Sequence, residues 1–426
     1  MKFRSTRRGA QPTSFSEAML RGLAPDGGLY VPERLPRFDL DDLDPAADFA
    51  AAAARILAPF FAGDALEPQL GELCARAFDF PMPLVPLGRD TAVLELFHGP
   101  TAAFKDFGAR FLAVGFERAL ATGVGPDSLT VLVATSGDTG AAVAAACHRR
   151  ERLRVGVLFP DGGVAPRQER QLTCWDDNVA SFAVRGTFDD CQRLVKQAFT
   201  RPGWPAAGGL SSANSINVGR LLPQAVFYAV ASLRYLATTG RPAGFAVPSG
   251  NVGNAVGALW ARRMGFPLRE VALATNANRV VPDWFEGGSW TPRRSIATLA
   301  NAMDVGDPSN MERVFDLYPG RDALRAEASA CSVPDDTIRQ VIRDGPQRWG
   351  RVWCPHTATA VHLRETRPTP DWVIVATAHP AKFDSIVEPL VGRPVEVPPR
   401  LAELLARPTR VERIEAAFEP VAARLP

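Results

Sequence analysis

Four lysines limit where covalent aldehyde chemistry can occur in this chain. Its 48 basic residues include four lysines: Lys2, Lys105, Lys196 and Lys382. Lysine can hold an aldehyde cofactor as a Schiff base, whereas arginine stays protonated and cannot. Lys105 lies between Phe104 and Phe107, and desolvation there would favour a neutral, nucleophilic amine. The alternative is a lysine that extends from a core helix into solvent.

The other lysines have less favourable surroundings. Lys2 is at the N-terminus, and Lys196 lies opposite the apolar stripe of residues 191–198, so we expect it in solvent. Lys382 lies in AHPAKF, which we predict to be a loop. Lys105 is therefore the first candidate for a Schiff base.

The segment TVLVATSGDTGAAVA indicates a buried strand, a turn and a helix of small residues. Its turn, residues 136–140, would present backbone N–H groups and hydroxyls at a helix N-terminus, which suits a carboxylate or a phosphate. Asp138 is in the middle of that turn. The alternative is an N-cap aspartate that binds no ligand.

A second segment, GFAVPSGNVGNAVGALW, repeats this pattern. Gly250 and Gly253 would let the backbone approach an anion, and we expect Gly253 to need a positive φ. The run lacks the Lys-Ser/Thr of a Walker loop and the GxGxxG spacing of a dinucleotide site. It favours a phosphate monoester; the alternative is a tight strand-to-helix connection.

A third segment, SSANSINVGRLLPQ, places Asn214, Ser215 and Arg220 near the start of a helix. Amide, hydroxyl and guanidinium together suit a second anion. The alternative is an ordinary helix cap with a surface arginine.

Strand-end residues add one more candidate. Thr377 follows VIVA, and a hydroxyl at the carboxyl end of a parallel strand lies where α/β folds bind ligands. His379 and His356 lie near similar positions, but lone histidines are more often structural, so neither is assigned a catalytic role.

The elements that must position these residues alternate along the chain. Apolar runs bounded by turn residues predict strands at 129–135, 153–159, 179–184, 244–248, 269–275 and 371–377. Helix-like stretches lie between them, which indicates a mostly parallel sheet covered on both faces. Residues 1–80 lack this alternation and form a separate leading region. Residues 81–90 are predicted to be a connector into the main body, 81–426.

Composition excludes several classes of function. The net charge is +2 and no long run of like charge occurs, so we expect no nucleic-acid partner. Six scattered cysteines show no CxxC and no metal-ligand spacing with histidine, which predicts reduced thiols, a cytoplasmic protein and no metal. No secretory signal and no membrane-spanning run are evident.

Seven ordered motifs resemble the threonine synthases, a pyridoxal-phosphate family that shares its fold with tryptophan synthase β. They are SFSEAMLRGLAPDGGLYVPERLP, LELFHGPTAAFKDFGARF, ATSGDTGAAVA, SANSIN, VPSGNVGN, LANAMDVGDPSN and TAHPAKF. The resemblance implies two doubly wound parallel-sheet domains of the tryptophan synthase β-like fold. The leading region resembles the N-terminal domain of the longer class of this family.

The resemblance also implies site residues. Lys105 would hold pyridoxal 5′-phosphate as a Schiff base, and Thr377 would hydrogen-bond the pyridine nitrogen. Asp138 would lie near the cofactor's 3′-oxygen, where relatives with TSGNTG carry asparagine. Three further sets of residues would bind anions. The cofactor phosphate would be bound by Gly250, Asn251, Val252, Gly253 and Asn254. The substrate carboxylate would be bound by Thr135, Ser136 and Thr139, and the substrate phosphate by Asn214, Ser215 and Arg220.

The implied reaction converts O-phospho-L-homoserine and water to L-threonine and phosphate, in a monomer or homodimer. One alternative is another lyase of the same fold, such as a serine/threonine dehydratase or a phospholyase. A second, of a different class, is a non-catalytic α/β protein that binds ATP or NAD through the two glycine-containing turns. Absorbance of a lysine-bound cofactor in the purified protein separates the last from the others.

Overall fold

The structure is a computed structural model that describes residues 1–201, 203–205 and 208–425. Its strands are β1 (Phe3–Ser5), β2 (Tyr30–Pro32), β3 (Leu84–Pro86), β4 (Thr91–Glu95), β5 (Leu129–Ala134), β6 (Leu153–Pro160), β7 (Val179–Arg185), β8 (Gly209–Ser212), β9 (Ala243–Pro248), β10 (Leu268–Thr275), β11 (Ala328–Ser332), β12 (Trp372–Ala376) and β13 (Glu412–Glu415).

The helices alternate with these strands over most of the main body. They are α1 (Phe15–Arg21), α2 (Phe49–Phe61), α3 (Leu70–Ala77), α4 (Lys105–Ala121), α5 (Asp138–Cys147), α6 (Pro166–Thr173), α7 (Phe188–Thr200), α8 (Val218–Thr239), α9 (Gly253–Arg263), α10 (Val280–Phe285), α11 (Met311–Leu317), α12 (Arg321–Arg325), α13 (Asp335–Trp349), α14 (Pro355–Glu365), α15 (Asp384–Val391), α16 (Pro399–Ala406) and α17 (Glu419–Arg424).

Two parallel sheets form the body of the molecule. The larger has the order β11-β10-β9-β12-β4-β3, and the smaller has the order β13-β7-β6-β5-β8. Every pairing in them is parallel except that between β3 and β4. The α/β fold class is therefore confirmed, and all six predicted strands are present.

The strands are apolar on both faces because helices cover both sides of each sheet. Every residue of β5, β9 and β12 is buried, which is the pattern of parallel strands between helical layers. Helix α8 is buried along most of its length and packs against α4 and α9. The carboxyl ends of β5, β9 and β12 are each followed by one of the turns singled out above.

The segment 81–90 is not the simple connector that its composition predicts. It contains β3, which pairs antiparallel with β4 and forms one edge of the larger sheet. Its prolines are tolerated because an edge strand needs fewer ladder donors than a central strand.

The leading region has its own antiparallel pair, β1-β2, and the helices α1 to α3. Asp48 caps α2 by accepting hydrogen bonds from the N–H groups of Ala50 and Ala51. Phe15 and Phe61 pack against Phe111 of α4, so the leading region contributes directly to the core that supports Lys105. Within the described residues, no helix is long and apolar enough to cross a membrane.

Candidate active site

Lys105 is the first residue of α4, and its side chain lines a cavity between the two sheets. Desolvation lowers its pKa to about 8, and the positive charges of Arg220 and Lys382 act in the same direction, while Asp138 opposes them. A lysine with this pKa has a substantial neutral fraction near neutral pH, which a nucleophile or a base requires.

The aromatic surroundings of Lys105 differ from the prediction. Its Nζ lies 4.5 Å from the centroid of the Phe104 ring. Phe107 instead packs against Phe49, Phe80 and other phenylalanines of the core. Helical geometry explains this, because residues two positions apart on a helix do not share a face.

The 250–254 turn lines the same cavity as Lys105. It joins β9 to α9, and the N-cap residue, Val252, provides no side-chain cap. The first N–H groups of a helix have no partner within the helix. The turn therefore offers uncapped donors and a positive helix end to an anion.

The positive φ expected at Gly253 occurs instead at Val252, whose φ is 63°. Gly253 is the first helical residue, and a Cβ there would lie 3.3 Å from Asn310 Nδ2. Gly250 is the more restricted glycine, since its Cβ would meet the Met303 Cα at 2.5 Å. A left-handed valine is uncommon and strained, and such strain concentrates at functional sites.

Ser215 lies opposite the 250–254 turn and is held by two amides. Asn251 Nδ2 donates to Ser215 Oγ at 2.7 Å, and Asn310 Nδ2 donates to it at 3.2 Å. Ser309 N donates to Asn251 Oδ1 at 2.6 Å. These bonds connect the SANSIN, VPSGNVGN and DPSN motifs in one network.

The buried Arg313 supports this network from behind. Its guanidinium donates to the carbonyls of Ser215, Ile216 and Tyr30. It therefore ties the leading region to the wall of the cavity. Sequence inspection missed Arg313, although it follows the DPSN motif by only a few residues.

Arg220 is not the surface arginine of the alternative interpretation. It is 1% exposed and lines the cavity with Lys105 and Ser215. One nitrogen, Nη1, donates to the Ala213 carbonyl at 2.5 Å, and the buried Nε has no partner among the described residues. A buried cation without an ion-pair partner in the described chain suits an anionic ligand.

The other arginines considered for the substrate phosphate are engaged elsewhere. Arg110 donates to the Ala77 carbonyl and pairs with Asp79. Arg167 donates to the Ala381 carbonyl and pairs with Asp384.

Besides Arg220, other residues that line the cavity have a buried polar atom without a partner in the described chain. Thr377 Oγ1 is buried and unpaired, as expected of a hydroxyl that awaits a ligand. His356 also lines the cavity; its Nε2 accepts a hydrogen bond from Ala302 N at 3.1 Å, and its Nδ1 is unpaired. Desolvation lowers the pKa of His356 to about 4, so the ring is neutral with its proton on Nδ1. Sequence inspection left His356 out of the site.

Asp138 is not an N-cap. Gly137 holds the cap position with φ 137°, and Asp138 is the first residue of α5. The carboxylate lines the cavity, where Asp138 Oδ1 accepts a hydrogen bond from Gln168 Nε2 at 3.1 Å and lies 3.0 Å from Lys382 Nζ. Lys382 is fully buried, so the loop prediction missed its place beside the site.

Four predicted substrate ligands do not line the cavity: Thr135, Ser136, Thr139 and Asn214. Thr135 Oγ1 accepts hydrogen bonds from Gly137 N and Gly140 N, so it caps the turn. Asn214 Nδ2 donates to the Ala134 carbonyl, and its Oδ1 accepts from Ala134 N. Ser136 and Thr139 are half-buried at the turn. The structure gives Thr135 and Asn214 backbone partners, and substrate contact by all four stays a prediction.

A larger cavity of about 830 Å³ is lined by Phe97, His98 and Gly99 of the FHGPT segment and by His379 and Pro380 of the AHPAK segment. Its polar groups include Glu95, which accepts hydrogen bonds from His98 and Arg351. It contains neither Lys105 nor the 250–254 turn, so we assign the chemistry to the smaller cavity.

The residues of the smaller cavity fit pyridoxal phosphate. They include a lysine of lowered pKa, an uncapped helix N-terminus, and the unpaired hydroxyl of Thr377. A family model described as "Pyridoxal-phosphate dependent enzyme" matches residues 80–378. Fold and site thus define a pyridoxal-phosphate-dependent enzyme.

Further comparisons specify the family. Models described as "Threonine synthase N terminus" and "Threonine synthase, C-terminal" match residues 2–78 and 356–424. Threonine synthase of Escherichia coli is 38% identical over 98% of this chain and 97% of its own, and that of Pseudomonas aeruginosa is 34% identical over 96% and 95%. The chain belongs to the threonine synthase family.

Solved structures agree over the full length. The crystal structure of threonine synthase from Escherichia coli has a TM-score of 0.92, with 36% identity, and covers 100% of this chain and 99% of that one. A PLP-bound threonine synthase from Brucella melitensis also has a TM-score of 0.92, with 34% identity, over 100% and 98%.

Proposed function

We propose that this enzyme converts O-phospho-L-homoserine and water to L-threonine and phosphate. The observation that carries the proposal is the grouping of Lys105, Arg220 and Ser215 with the 250–254 turn around one cavity. A substrate with a carboxylate and a phosphate needs two anion sites besides that for the cofactor phosphate. Arg220, which is buried and whose Nε has no partner among the described residues, supplies the cation for the leaving phosphate.

Lys105 is the residue to which we assign both attachment and proton transfer. When bound, pyridoxal phosphate supplies an electron sink for a carbanion at the substrate's Cα. Lys105, once displaced by the substrate amine, removes the Cα proton, and its pKa of about 8 suits that exchange near neutral pH. Loss of a Cβ proton and departure of phosphate from Cγ precede proton return at Cγ and water addition at Cβ, and return of a proton from Lys105 to Cα completes L-threonine.

Ser215 joins Arg220 in our assignment of the substrate phosphate, and Asn251, which stays in the set for the cofactor phosphate, supports Ser215. The hydrogen bond from Asn251 Nδ2 fixes the Ser215 hydroxyl oxygen beside the cavity, and the Ser215 O–H can then donate outward. The sequence predicts Asn214 as a third ligand of this phosphate, but we propose a positioning role for it, since its amide is bound to the Ala134 backbone. Ser136 and Thr139 remain our candidates for the substrate carboxylate.

Two wider inferences accompany this function. We infer an N-terminal domain over residues 1–80 and a catalytic region over 81–426; the separate β1-β2 sheet supports this division. We also infer a cytoplasmic enzyme, a monomer or homodimer, that acts on a small molecule. The free cysteines of the described chain fit a reducing compartment.

The test is Arg220→Ala, with Arg110→Ala as the matched control. Loss of a charge-assisted partner from a desolvated phosphate costs about 2–5 kcal/mol, or about one and a half to four decades in kcat/KM at about 1.4 kcal/mol per decade. We expect that loss for O-phosphohomoserine and little loss for the slow deamination of serine, which has no phosphate. Equal loss of both activities would assign Arg220 to the fold, and loss only in the control would place the phosphate at Arg110.

A dehydratase would give a different result. It would deaminate serine or threonine at rates that exceed threonine formation from O-phosphohomoserine. Measuring both products with the unaltered enzyme distinguishes the two activities.

A further inference from the structure

The buried ion pair between Lys382 and Asp138 has no part in the function proposed so far. Lys382 is 0% exposed, and its Nζ donates to the Thr101 carbonyl at 2.6 Å and lies 3.0 Å from Asp138 Oδ1. Asp138 lines the cofactor cavity, whereas Lys382 lies behind it. A charged pair at this depth is costly to desolvate, so its presence beside a ligand cavity calls for a physical reason.

Asp138 depends on this partner to stay ionised. Burial alone would raise its pKa, but the charge of Lys382 and the hydrogen bonds from Gln168 and Lys382 act together against that effect, and the pKa is lowered. An ionised carboxylate without a counter-ion would repel an anionic cofactor across the cavity. With Lys382 in place, the Asp138 carboxylate stays ionised and can accept hydrogen bonds at both oxygens, while the net charge of the pair is zero.

The pair is also connected to the start of α4. Lys382 donates to the Thr101 carbonyl, and Thr101 in turn donates through N and Oγ1 to the Asp106 carboxylate, at 2.9 and 2.8 Å. Asp106 directly follows Lys105 in the chain. The position of Lys382 is thus fixed from two sides, by Asp138 of α5 and by the loop that precedes α4.

We propose that Lys382 is a positioning residue for the cofactor: its ammonium orients the Asp138 carboxylate and cancels its charge on the cavity side of α5. The inference rests on the proposed placement of the cofactor against Lys105 but not on the identity of the substrate. Lys382 itself does not touch the cofactor, because Asp138 lies between them.

Several titratable and charged groups face this pair, from every element packed around it. They are Lys105 and Asp106 of α4, Cys354 before α14, His356 of α14 and His379 in the segment of Lys382, while Arg220 of α8 acts on Lys105. The test therefore uses variants that change only Lys382 and Asp138 and leave these other groups in place.

The first measurement is the affinity for pyridoxal phosphate in a double-mutant cycle. Lys382→Met in the native background should weaken binding about 100-fold or more, since it leaves a buried carboxylate without its partner. In the Asp138→Asn background the same change should cost less than about fivefold, because no charge then needs compensation. Lys196→Met, on the exposed face of α7, is the matched control and should leave binding unchanged.

The second measurement is the pH midpoint of the absorption change of the lysine-bound cofactor, which needs no substrate. Lys382 lowers and Asp138 raises the pKa of Lys105 after the larger effect of desolvation. Lys382→Met should therefore move the midpoint upward, and Asp138→Asn should move it downward, each by about one to three pH units. A purely structural lysine would not produce opposite shifts.

The outcomes decide the proposal as follows. An equal loss of affinity from Lys382→Met in both backgrounds would overturn it, because that result means direct contact with the cofactor or general damage. If the Lys382→Met protein does not fold but the double variant with Asp138→Asn does, that result would support the proposal. If neither variant with Lys382→Met folds, the test is the pH midpoint of the absorption change in the Asp138→Asn protein. A midpoint that stays constant or rises in that protein would overturn the proposal. None of these readouts depends on O-phosphohomoserine, so failure of the proposed function would be seen separately.

Discussion

The turns at 135–140 and 248–254 have similar sequences but differ in how the N–H groups at the start of their helices are satisfied. Both follow a buried strand, contain Ser-Gly and lead into a helix of small residues. In the first turn, Thr135 Oγ1 accepts hydrogen bonds from the N–H groups of Gly137 and Gly140. In the second, Val252 provides no side-chain cap at the start of α9.

The difference teaches that a helix N-terminus becomes an anion site only where the protein leaves its donors uncapped. The first turn satisfies two of its own donors, Gly137 N and Gly140 N, and presents a carboxylate, Asp138, whose charge is cancelled by Lys382. The second turn leaves its donors for a ligand. Lys105 lies between them, and the predictions below test how far their roles differ.

The largest effect is expected at Lys105, which both turns face. Lys105→Ala should abolish the covalent adduct that borohydride traps and lower turnover by at least about three decades, since no other group can take over attachment and proton transfer. Mass spectrometry of the reduced protein measures the adduct, and Lys196→Ala serves as the control. An adduct at Lys382 would refute the assignment.

The next largest effect concerns the two glycines of the second turn. Gly250→Ala would bring a Cβ to 2.5 Å from the Met303 backbone, and overpacking of about 1–3 kcal/mol should weaken cofactor binding about 10- to 100-fold. Gly253→Ala meets only the Asn310 amide at 3.3 Å in a helical conformation, so its effect should stay within about fivefold. Equal effects in a cofactor titration would contradict the position of this turn.

The pH dependence of cofactor attachment tests the state of Lys105. Attack on the aldehyde requires the neutral amine, and the pKa of Lys105 is lowered to about 8, chiefly by desolvation. The attachment rate of the apoenzyme should therefore level off above about pH 8 and fall about tenfold per pH unit below it. A rate that still rises steeply above pH 9 would indicate an ordinary, hydrated lysine.

Thr135→Val tests the first turn. The change removes the hydroxyl that accepts hydrogen bonds from Gly137 N and Gly140 N, and unsatisfied buried donors cost about 1–3 kcal/mol. We expect the free energy of unfolding, measured in denaturant, to fall by that amount, while cofactor affinity changes less than about threefold. A strong loss of affinity with unchanged stability would mean that this turn, too, binds a ligand directly.

The smallest effect is expected for Val252→Gly. Relief of a left-handed valine gains about 1–2 kcal/mol, and the added flexibility of glycine costs about 0.5–1 kcal/mol. These two contributions sum to a gain of about 0–1.5 kcal/mol, which offsets part of the about 1.5–3 kcal/mol lost with the buried valine side chain. The free energy of unfolding should therefore fall by less than about 3 kcal/mol, with cofactor affinity within about threefold of the unaltered enzyme. Differential scanning calorimetry with and without cofactor measures both, and a larger destabilisation would contradict the strained conformation.

Several features could be predicted from the sequence because they depend on local pattern. The structure contains all six strands that the apolar runs predicted, and the ordered motifs identified the family. The predictions were wrong where the conformation depends on contacts with residues distant in the chain. Phe107 packs into the core, residues 81–90 contain an edge strand, and the left-handed residue is Val252.

The sequence by itself determined the α/β class, the family and the choice of Lys105 among four lysines, because strand periodicity, motif order and residue chemistry are written along the chain. Only the tertiary structure decided which polar groups meet. Lys382 and Asp138 are 244 positions apart in the sequence yet 3.0 Å apart in the fold. Burial, which lowers the pKa values of Lys105, His356 and Arg220, arises from packing of the whole chain, and no local pattern reports it.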